Sequence, residues 1–303
     1  MRVFVTGASG HIGSAVVPEL LEAGHQVVGL ARSDRAAAAL AAAGAEAWRG
    51  DLDDLVGLRQ AAAAADGVIH LAFRHDLMAT GDHAGAAAAD LAAIEAIAAA
   101  LDGTGKPFVA TSGTLMLTGA GITGRPGTEA DFAPGGYRVD AENFVIGLAG
   151  SGVRSSAVRL PPIVHSELDR HGFAHILIAV ARQAGESAYV ADGANRWPSV
   201  HTLDAARVYR LALESAPAGS RLHAVADEGI PFRDIAAVIG RGLGVPTASV
   251  PAAEAATRFA FLGPLVGLDN PTSSELTRKL LGWEPTQPGL LDDLEHGHYI
   301  PRA

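Results

Sequence analysis

The sequence predicts an α/β fold in which a doubly wound parallel sheet is followed by a smaller C-terminal lobe. Through the first half of the 303 residues, short apolar runs alternate with stretches of helical character, beginning with "RVFVTG" and "HIGSAVVPELLEAG". Alternation at this spacing is typical of right-handed βαβ units, whose parallel strands are covered by helices on both faces. A glycine-rich turn joins the first strand to the first helix, which is a second feature of this architecture.

Six apolar runs predict the strands of the first half. In chain order they are "RVFVTG", "QVVGLAR", "AEAWRG", "GVIHLAF", "PFVATSG" and "VRSSAVRLPPIV". The intervening segments predict two helices that end near residues 24 and 43, and three more over residues 53–65, 82–101 and 138–149. Many of these segments are rich in alanine, which has the highest helix propensity.

The regular alternation weakens after about residue 164. Residues 1–165 are therefore assigned to the sheet domain, and residues 166–303 mostly to a second lobe. Within the lobe, "FAHILIAVARQAG", "FRDIAAVIGRGLG" and "SSELTRKLLG" predict helices. The run "RLHAVAD" predicts a seventh strand of the main sheet, so we expect residues 200–227 to return to the first domain.

Composition excludes several classes of function. A net charge of −10 argues against nucleic acid or an anionic membrane as partner, since both require clustered Lys and Arg. The chain has no cysteine, which excludes disulfides and thiolate chemistry. No uninterrupted apolar run of about 18 residues is evident, and "MRVFVTGASG" does not resemble a signal peptide. We expect a cytoplasmic protein that acts on a small molecule.

The strongest local signal is "VFVTGASGHIGSAV". Gly7, Gly10 and Gly13 follow a strand and open a helix, as a dinucleotide-binding fingerprint requires. Gly7 permits the tight turn, Gly10 lets the backbone approach a pyrophosphate, and Gly13 lets the helix pack closely on the sheet. The helix N-terminus then offers free N–H groups to the phosphates. The pattern predicts a Rossmann domain.

The residues at the end of the second strand indicate whether the cofactor is NAD(H) or NADP(H). NAD-binding sites usually carry an acidic residue there, which accepts a hydrogen bond from the ribose 2′-OH. This chain has Arg32 and Ser33, and a guanidinium fork suits a 2′-phosphate. Asp34 is close enough in sequence to approach the same ribose. We predict NADP(H) as the cofactor.

These motifs together resemble the short-chain dehydrogenase/reductase superfamily, in its extended and atypical, epimerase/dehydratase-like branch. The family pattern TGxxGxxG is matched by residues 6–13, and further similar segments are "RGDLDD", "VIHLAF", "FVATSGT", "VRLPPIVH" and "RWPSVHTLDAARVYRLAL". The resemblance covers the whole chain and implies a set of cofactor-binding residues. With the two at the second strand, they are Thr6, Gly7, Ser9, Gly10, His11, Ile12, Gly13, Asp51, Leu52, Leu71, Ala72, Phe73, Pro161, Pro162 and Ile163.

The chain departs from the family at "GGYRVDAENF". The family has a Tyr that protonates the substrate oxygen and, four residues later, a Lys that holds the ribose and lowers the pKa of that Tyr. In one alignment Tyr137 keeps the Tyr position and Ala141 replaces the Lys. In the other, which leaves the downstream spacing undisturbed and which we prefer, Arg138 replaces the Tyr and Glu142 the Lys. Either way the Lys is missing.

Hydroxyl groups after the fifth strand are candidates to substitute for this pair. Ser112 and Thr114 flank Gly113, which aligns near the family's catalytic Ser. Either hydroxyl could polarise a carbonyl oxygen, or instead satisfy backbone groups at the strand end. The predicted catalytic residues are therefore Ser112, Thr114, Tyr137 and Arg138.

Four residues are candidates for the substrate pocket. His75 follows the fourth strand, His165 follows the sixth, and Tyr189 and Trp197 flank a loop of the second lobe. Tyr189 and Trp197 could equally belong to the core of that lobe. His171 and His175 have helical ligand spacing, but no further ligand set is evident, so we predict no metal site.

The sequence therefore predicts an NADP(H)-dependent oxidoreductase that reduces a small carbonyl, enone or imine. Two alternatives stay open, namely a non-catalytic NADP(H)-binding sensor and a nucleotide-sugar epimerase or dehydratase. The resemblance also implies a homodimer.

Overall fold

The computed structural model describes residues 1–300, within which the chain forms twelve strands. Their bounds are β1 Arg2–Thr6, β2 Gln26–Ala31, β3 Glu46–Arg49, β4 Gly67–His70, β5 Pro107–Gly113, β6 Arg154–Leu160, β7 Ile163–His165, β8 Ser187–Val190, β9 Arg196–His201, β10 Ser220–His223, β11 Asp227–Pro231 and β12 Thr247–Val250. The main sheet has the order β10-β6-β5-β4-β1-β2-β3, and each of its neighbouring pairs is parallel. The predicted doubly wound parallel sheet is confirmed.

The same residues form thirteen α-helices. Their bounds are α1 Gly13–Glu22, α2 Asp34–Ala42, α3 Leu55–Ala63, α4 His75–Ala79, α5 His83–Leu101, α6 Leu115–Gly119, α7 Val139–Gly147, α8 Phe173–Ala184, α9 Thr202–Ser215, α10 Phe232–Leu243, α11 Ala255–Phe259, α12 Glu275–Leu281 and α13 Leu290–His296. Three short 3-10 helices add residues 148–151, 252–254 and 260–262. The short helices α4 and α6 were not predicted, because each is a single turn without a complete apolar period.

The central strands of the main sheet have apolar side chains on both faces, as parallel strands between two helical layers require. Val3, Phe4 and Val5 of β1, for example, have no exposed surface. The run "VRSSAVRLPPIV" was predicted as one strand but forms two, because Pro161 and Pro162 lack the N–H groups that would continue the ladder.

The second lobe consists of the elements that pack around a separate apolar core, chiefly α8, β8, α10, β12, α11 and α13. Trp197 and Phe232 lie at its centre, with ring centroids 5.0 Å apart. The strands β7, β9 and β11 form a three-stranded sheet between this core and the first domain. The run "RLHAVAD" forms β10, which pairs with β6 at one edge of the main sheet.

Helix α5 corrects our expectation that no segment is long and apolar enough to span a membrane. It has 19 residues and a mean hydropathy of 1.6, which satisfies that test by length and composition. In the structure it packs against α3 and α7 and buries Ala93, Ile94 and Ile97 in the core of the first domain. One such helix is weak evidence for a membrane span, because core helices share these properties.

Candidate active site

The glycine turn that follows β1 packs directly against the backbone that follows β4. Gly7 has φ +66°, and a Cβ atom there would lie 2.7 Å from the backbone nitrogen of Ala72. A Cβ atom at Gly13 would lie 2.2 Å from the carbonyl oxygen of Gly7. Both positions therefore exclude a side chain, for reasons of backbone conformation and of space.

The start of α1 leaves backbone donors free for an anion. Ile12 precedes the helix without a side-chain cap, and its N–H and that of His11 donate to no group within residues 1–300. Free amides at a helix N-terminus, next to glycines that leave room for a phosphate, fit the pyrophosphate of a dinucleotide. Ser9 lies exposed beside them.

Two side chains of the fingerprint face the protein and not a ligand. Thr6 is fully buried, and its Oγ1 accepts hydrogen bonds from the amides of Leu71 and Ala72, each at 3.2 Å. The imidazole of His11 extends to the second half of the chain, where its Nε2 lies 2.8 Å from Oγ1 of Thr202. Burial lowers the pKa of His11. Backbone atoms of His11 remain available to a cofactor, whereas its ring joins the two lobes.

At the end of β2, only one of the three polar side chains is uncommitted. Ser33 caps α2, since its Oγ accepts from the amide of Ala36 at 3.2 Å. Asp34 pairs with Arg49 at 2.8 Å. The exposed Arg32 makes no ion pair or hydrogen bond with another of residues 1–300.

The segment after β3 contributes an exposed carboxylate and a buried side chain. Asp51 accepts from the amides of Asp53 and Asp54 and so closes its own turn. Leu52 is 7 % exposed and packs into the core of the first domain. Neither residue contacts another of the predicted cofactor residues through a hydrogen bond.

The segment after β4 carries the most unusual contact of the site. The guanidinium carbon of Arg138 lies 4.0 Å from the ring centroid of Phe73, which is the geometry of a cation–π contact. Nη2 of Arg138 also lies 3.4 Å from the carbonyl oxygen of Thr111, near the end of β5. Arg138 has φ 58°, a left-handed conformation that L-residues rarely adopt. The guanidinium therefore lies over the carboxyl ends of β4 and β5.

Tyr137 points away from this group. Its hydroxyl lies 3.0 Å from Sδ of Met78, and its ring packs edge-on against His83. The side chain is 43 % exposed, and burial of the remainder raises the pKa of the Tyr137 hydroxyl. This hydroxyl is therefore a weaker acid than that of a free tyrosine.

The two predicted catalytic hydroxyls are committed to buried acceptors. Ser112 donates to the carboxylate of Glu142 at 2.5 Å, and Thr114 donates to Oδ1 of Asn270 at 2.8 Å. Both side chains are buried. In this structure neither hydroxyl is free to donate to a substrate, so their hydrogen bonds disagree with the role that the sequence suggested.

Glu142 forms a buried ion cluster. Its carboxylate accepts from Arg159 at 2.6 and 2.9 Å and from Arg221 at 2.8 Å. Burial alone would raise the pKa of Glu142, but the hydrogen bonds and charge of Arg159, with those of Ser112 and Arg221, outweigh it and lower that pKa. The Glu142 carboxylate therefore ties α7 to β5, β6 and β10.

The predicted pocket residues do not come together. Trp197 is fully buried in the second-lobe core, and Tyr189 packs at the edge of that core. His165 is also fully buried, with Nδ1 2.8 Å from Oδ2 of Asp293. The expectation that Trp197 and His165 line a pocket is therefore wrong, because both are inside the protein. Only His75 lies beside Phe73, with ring centroids 5.4 Å apart.

The segment between β6 and β7 places three candidate residues next to β5. Pro161 and Ile163 are buried, and Pro162 is half-buried. The amide of Thr114 donates to the carbonyl oxygen of Leu160 at 2.9 Å, which holds this segment beside the end of β5.

The sequence of this chain is similar to those of known proteins. A family model described as "NAD dependent epimerase/dehydratase family" matches residues 3–134. Two similar proteins cover the chain almost completely, "Uncharacterized protein C2A9.02" of Schizosaccharomyces pombe at 47 % identity and "Uncharacterized protein YLL056C" of Saccharomyces cerevisiae at 45 %. The alignments cover 99 % of this chain and 100 % of each relative.

The chain belongs to the NAD-dependent epimerase/dehydratase family. Solved structures of the same fold include a UDP-glucose 4-epimerase of Thermotoga maritima, with TM-score 0.76 and 19 % identity over 97 % of this chain and 96 % of that one. A dTDP-glucose 4,6-dehydratase of Streptomyces venezuelae, in a double mutant with NAD bound, has TM-score 0.76 and 20 % identity over 98 % and 95 %. Membership of this family supports a nicotinamide dinucleotide as cofactor.

Proposed function

We propose that this protein is an NADP(H)-dependent oxidoreductase that reduces a small carbonyl, enone or imine without a Tyr–Lys pair. The observation that carries the proposal is the guanidinium of Arg138, which lies over Phe73 at the carboxyl ends of β4 and β5. Ligands of open parallel sheets bind at this edge. A cation there can stabilise the negative charge that develops on a substrate during reduction.

The preference for NADP(H) is supported by Arg32. Its guanidinium is exposed and uncommitted, whereas Asp34, the competing ribose ligand, is paired with Arg49. A free fork of N–H donors at the end of β2 suits a 2′-phosphate. One of the solved structures named above has NAD bound, so a preference for NADP(H) over NAD(H) is proposed for this chain alone.

The chemistry of reduction fits an arginine better than an unassisted tyrosine. When bound, NADPH would supply a hydride to the electrophilic carbon of the substrate. The π electrons of the substrate then move onto its oxygen or nitrogen, and the N–H groups of Arg138 hydrogen-bond to that charge. Because a guanidinium keeps its proton at neutral pH, the proton that completes the product comes from water. A conjugated carbonyl or an imine needs less acid assistance than a simple ketone.

Steady-state turnover tests the proposal. Purified protein is mixed with NADPH and a panel of aldehydes, ketones, enones and imines, and the loss of reduced nicotinamide is followed with product analysis. We expect turnover of at least one class, and none with the Gly13→Ala variant, whose Cβ atom would collide with the Gly7 carbonyl. A protein that binds NADPH but reduces nothing in the panel would contradict the proposal and favour a sensor.

A second candidate function is epimerisation or dehydration of a nucleotide sugar. The named activities of the Thermotoga and Streptomyces relatives favour it. These reactions begin by removing a proton from a sugar hydroxyl, which requires a base. Here Tyr137 points towards Met78, and Glu142 is paired with two arginines, so neither is placed to accept it. Conversion of UDP-glucose or dTDP-glucose by the purified protein would favour this candidate instead.

A further inference from the structure

Arg138, like Arg32, carries a charge that no carboxylate of residues 1–300 compensates, but Arg138 is partly buried whereas Arg32 is exposed. No carboxylate of residues 1–300 lies within 4.0 Å of its guanidinium nitrogens. Other arginines around the site are paired, Arg74 with Asp53 and Asp76, and Arg159 and Arg221 with Glu142. In a chain with 33 acidic and 23 basic side chains, an unpaired cation at a partly buried position requires an explanation.

The hydrogen-bonding groups of Arg138 are also unsatisfied. Its Nε is buried and has no acceptor, and Nη1 donates to no group of the described chain. Within residues 1–300, the guanidinium makes one hydrogen bond, the 3.4 Å contact from Nη2 to the carbonyl oxygen of Thr111, which is long. A buried donor without a partner destabilises a protein. The left-handed backbone of Arg138 adds a further cost.

The neighbours of Arg138 orient the plane of its guanidinium but do not neutralise its charge. The ring of Phe73 lies against one face of the guanidinium. Burial, followed by the charge of Arg138, lowers the pKa of His75, so this imidazole is neutral at pH 7. Two neighbouring acids are engaged elsewhere: Asp76, beside His75, pairs with Arg74, and the buried Asp90, beside Tyr137, contacts His70. An oriented, partly buried and unpaired fork of N–H donors is suited to a planar carboxylate.

We propose that Arg138 binds a carboxylate of the substrate, so that the preferred substrates are 2-oxo acids, 2-enoic acids or their imino counterparts. The proposal rests on the proposed function for the reaction itself, and it adds the chemical class of the substrate. A carboxylate bonded to the reducible carbon group fits a single guanidinium, which can hold it by two parallel hydrogen bonds. The alternative ligand for Arg138 is a phosphate of the dinucleotide, and the experiment distinguishes the two.

Binding and turnover are measured for the wild type, Arg138→Gln, Arg138→Lys and, as a matched control, Arg2→Gln. Arg2 pairs with Glu46 at the opposite, amino end of the sheet. The binding probe is oxamate, an unreactive analogue of a 2-oxo acid, titrated calorimetrically into protein saturated with NADP⁺. The turnover probes are pyruvate, which carries a carboxylate, and methyl pyruvate, in which a methyl ester removes that charge.

We expect the wild type and Arg2→Gln to bind oxamate and to favour pyruvate over its ester. Arg138→Gln should weaken oxamate binding and lower kcat/KM for pyruvate by about 10- to 100-fold, because charge-assisted hydrogen bonds are lost. Its kcat/KM for the ester should fall less than that for pyruvate, because the ester loses only the stabilisation of the developing charge and not a carboxylate contact. Its affinity for NADPH should be unchanged, and Arg138→Lys should restore part of the pyruvate preference.

Two results would overturn the proposal. One is equal use of acid and ester by the wild type, together with no binding of oxamate. The other is a weaker affinity of Arg138→Gln for NADPH with unchanged oxamate binding, which would assign Arg138 to the cofactor. Oxamate binding lost in Arg138→Gln, in a protein that turns over none of the probes, would support Arg138 as the carboxylate ligand while contradicting the proposed reduction.

Discussion

Replacing Glu142 by Gln should destabilise the protein strongly. The carboxylate is 4 % exposed and accepts hydrogen bonds from Arg159, Arg221 and Ser112. Arg159 is itself 1 % exposed, so the substitution leaves a buried guanidinium without a counter-ion. Removing one partner of a buried ion pair costs about 3–5 kcal/mol of stability.

This loss corresponds to a fall in Tm of about 5–8 °C, since the entropy of unfolding is about 2.1 cal/mol/K per residue. Thermal and urea unfolding followed by circular dichroism measure it. Glu95→Gln is the matched control, because Glu95 is exposed on α5 and should change the free energy of unfolding by less than about 0.5 kcal/mol. Glu142→Lys should destabilise more than Glu142→Gln, because it places a third cation beside Arg159 and Arg221.

The same cluster predicts a dependence on pH. The pKa of Glu142 is lower in the folded chain than its unfolded value of about 4.3. Its contribution is therefore fully present above pH 4.3 and is lost as pH falls through the lower, folded pKa. The stability difference between wild type and Glu142→Gln should be constant near neutral pH and shrink below about pH 4. A Gln variant within about 0.5 kcal/mol of the wild type at pH 7 would refute the reasoning.

Three further substitutions test the cofactor and acid assignments. Arg32→Ala should weaken NADPH binding by about 10- to 100-fold and leave NADH binding unchanged, whereas Arg182→Ala, at an exposed arginine of α8, should affect neither in fluorescence titrations. Gly13→Ala should abolish binding of both nucleotides with the far-UV circular dichroism retained, and tight binding would show that the turn does not hold the pyrophosphate. Tyr137→Phe should keep kcat/KM within about twofold, because its hydroxyl contacts Met78; a loss of about a hundredfold would restore Tyr137 as the acid.

The sequence predicts the sheet well because its signals are local. Apolar runs bounded by turn residues identify the seven strands of the main sheet, and the glycines at positions 7, 10 and 13 locate the turn that begins α1. Each signal depends on neighbouring residues and on the period of a strand or a helix. The split between β6 and β7 was missed, although Pro161 and Pro162 indicated where the ladder ends.

The side-chain partners of the site could not be predicted, because they are distant in sequence. Thr114 bonds to Asn270 and His11 to Thr202, across 156 and 191 residues respectively. Nothing local shows that Glu142 faces two arginines or that Trp197 lies in a core. Arginine has no intrinsic preference for a positive φ, so tertiary contacts must hold Arg138 in this conformation. The Gly135–Gly136 pair before it was the only local sign of an unusual backbone.

Isothermal titration calorimetry of the wild-type protein with NADPH and NADH tests the central claim most directly. The free amides of α1, the room left by Gly7 and Gly13, and the uncommitted guanidinium of Arg32 together predict saturable binding at one site per chain, at least about tenfold tighter for NADPH. Absence of heat with both nucleotides would contradict the account of the site as a whole. Tighter binding of NADH would contradict the role of Arg32 and leave the glycine turn as the dinucleotide site.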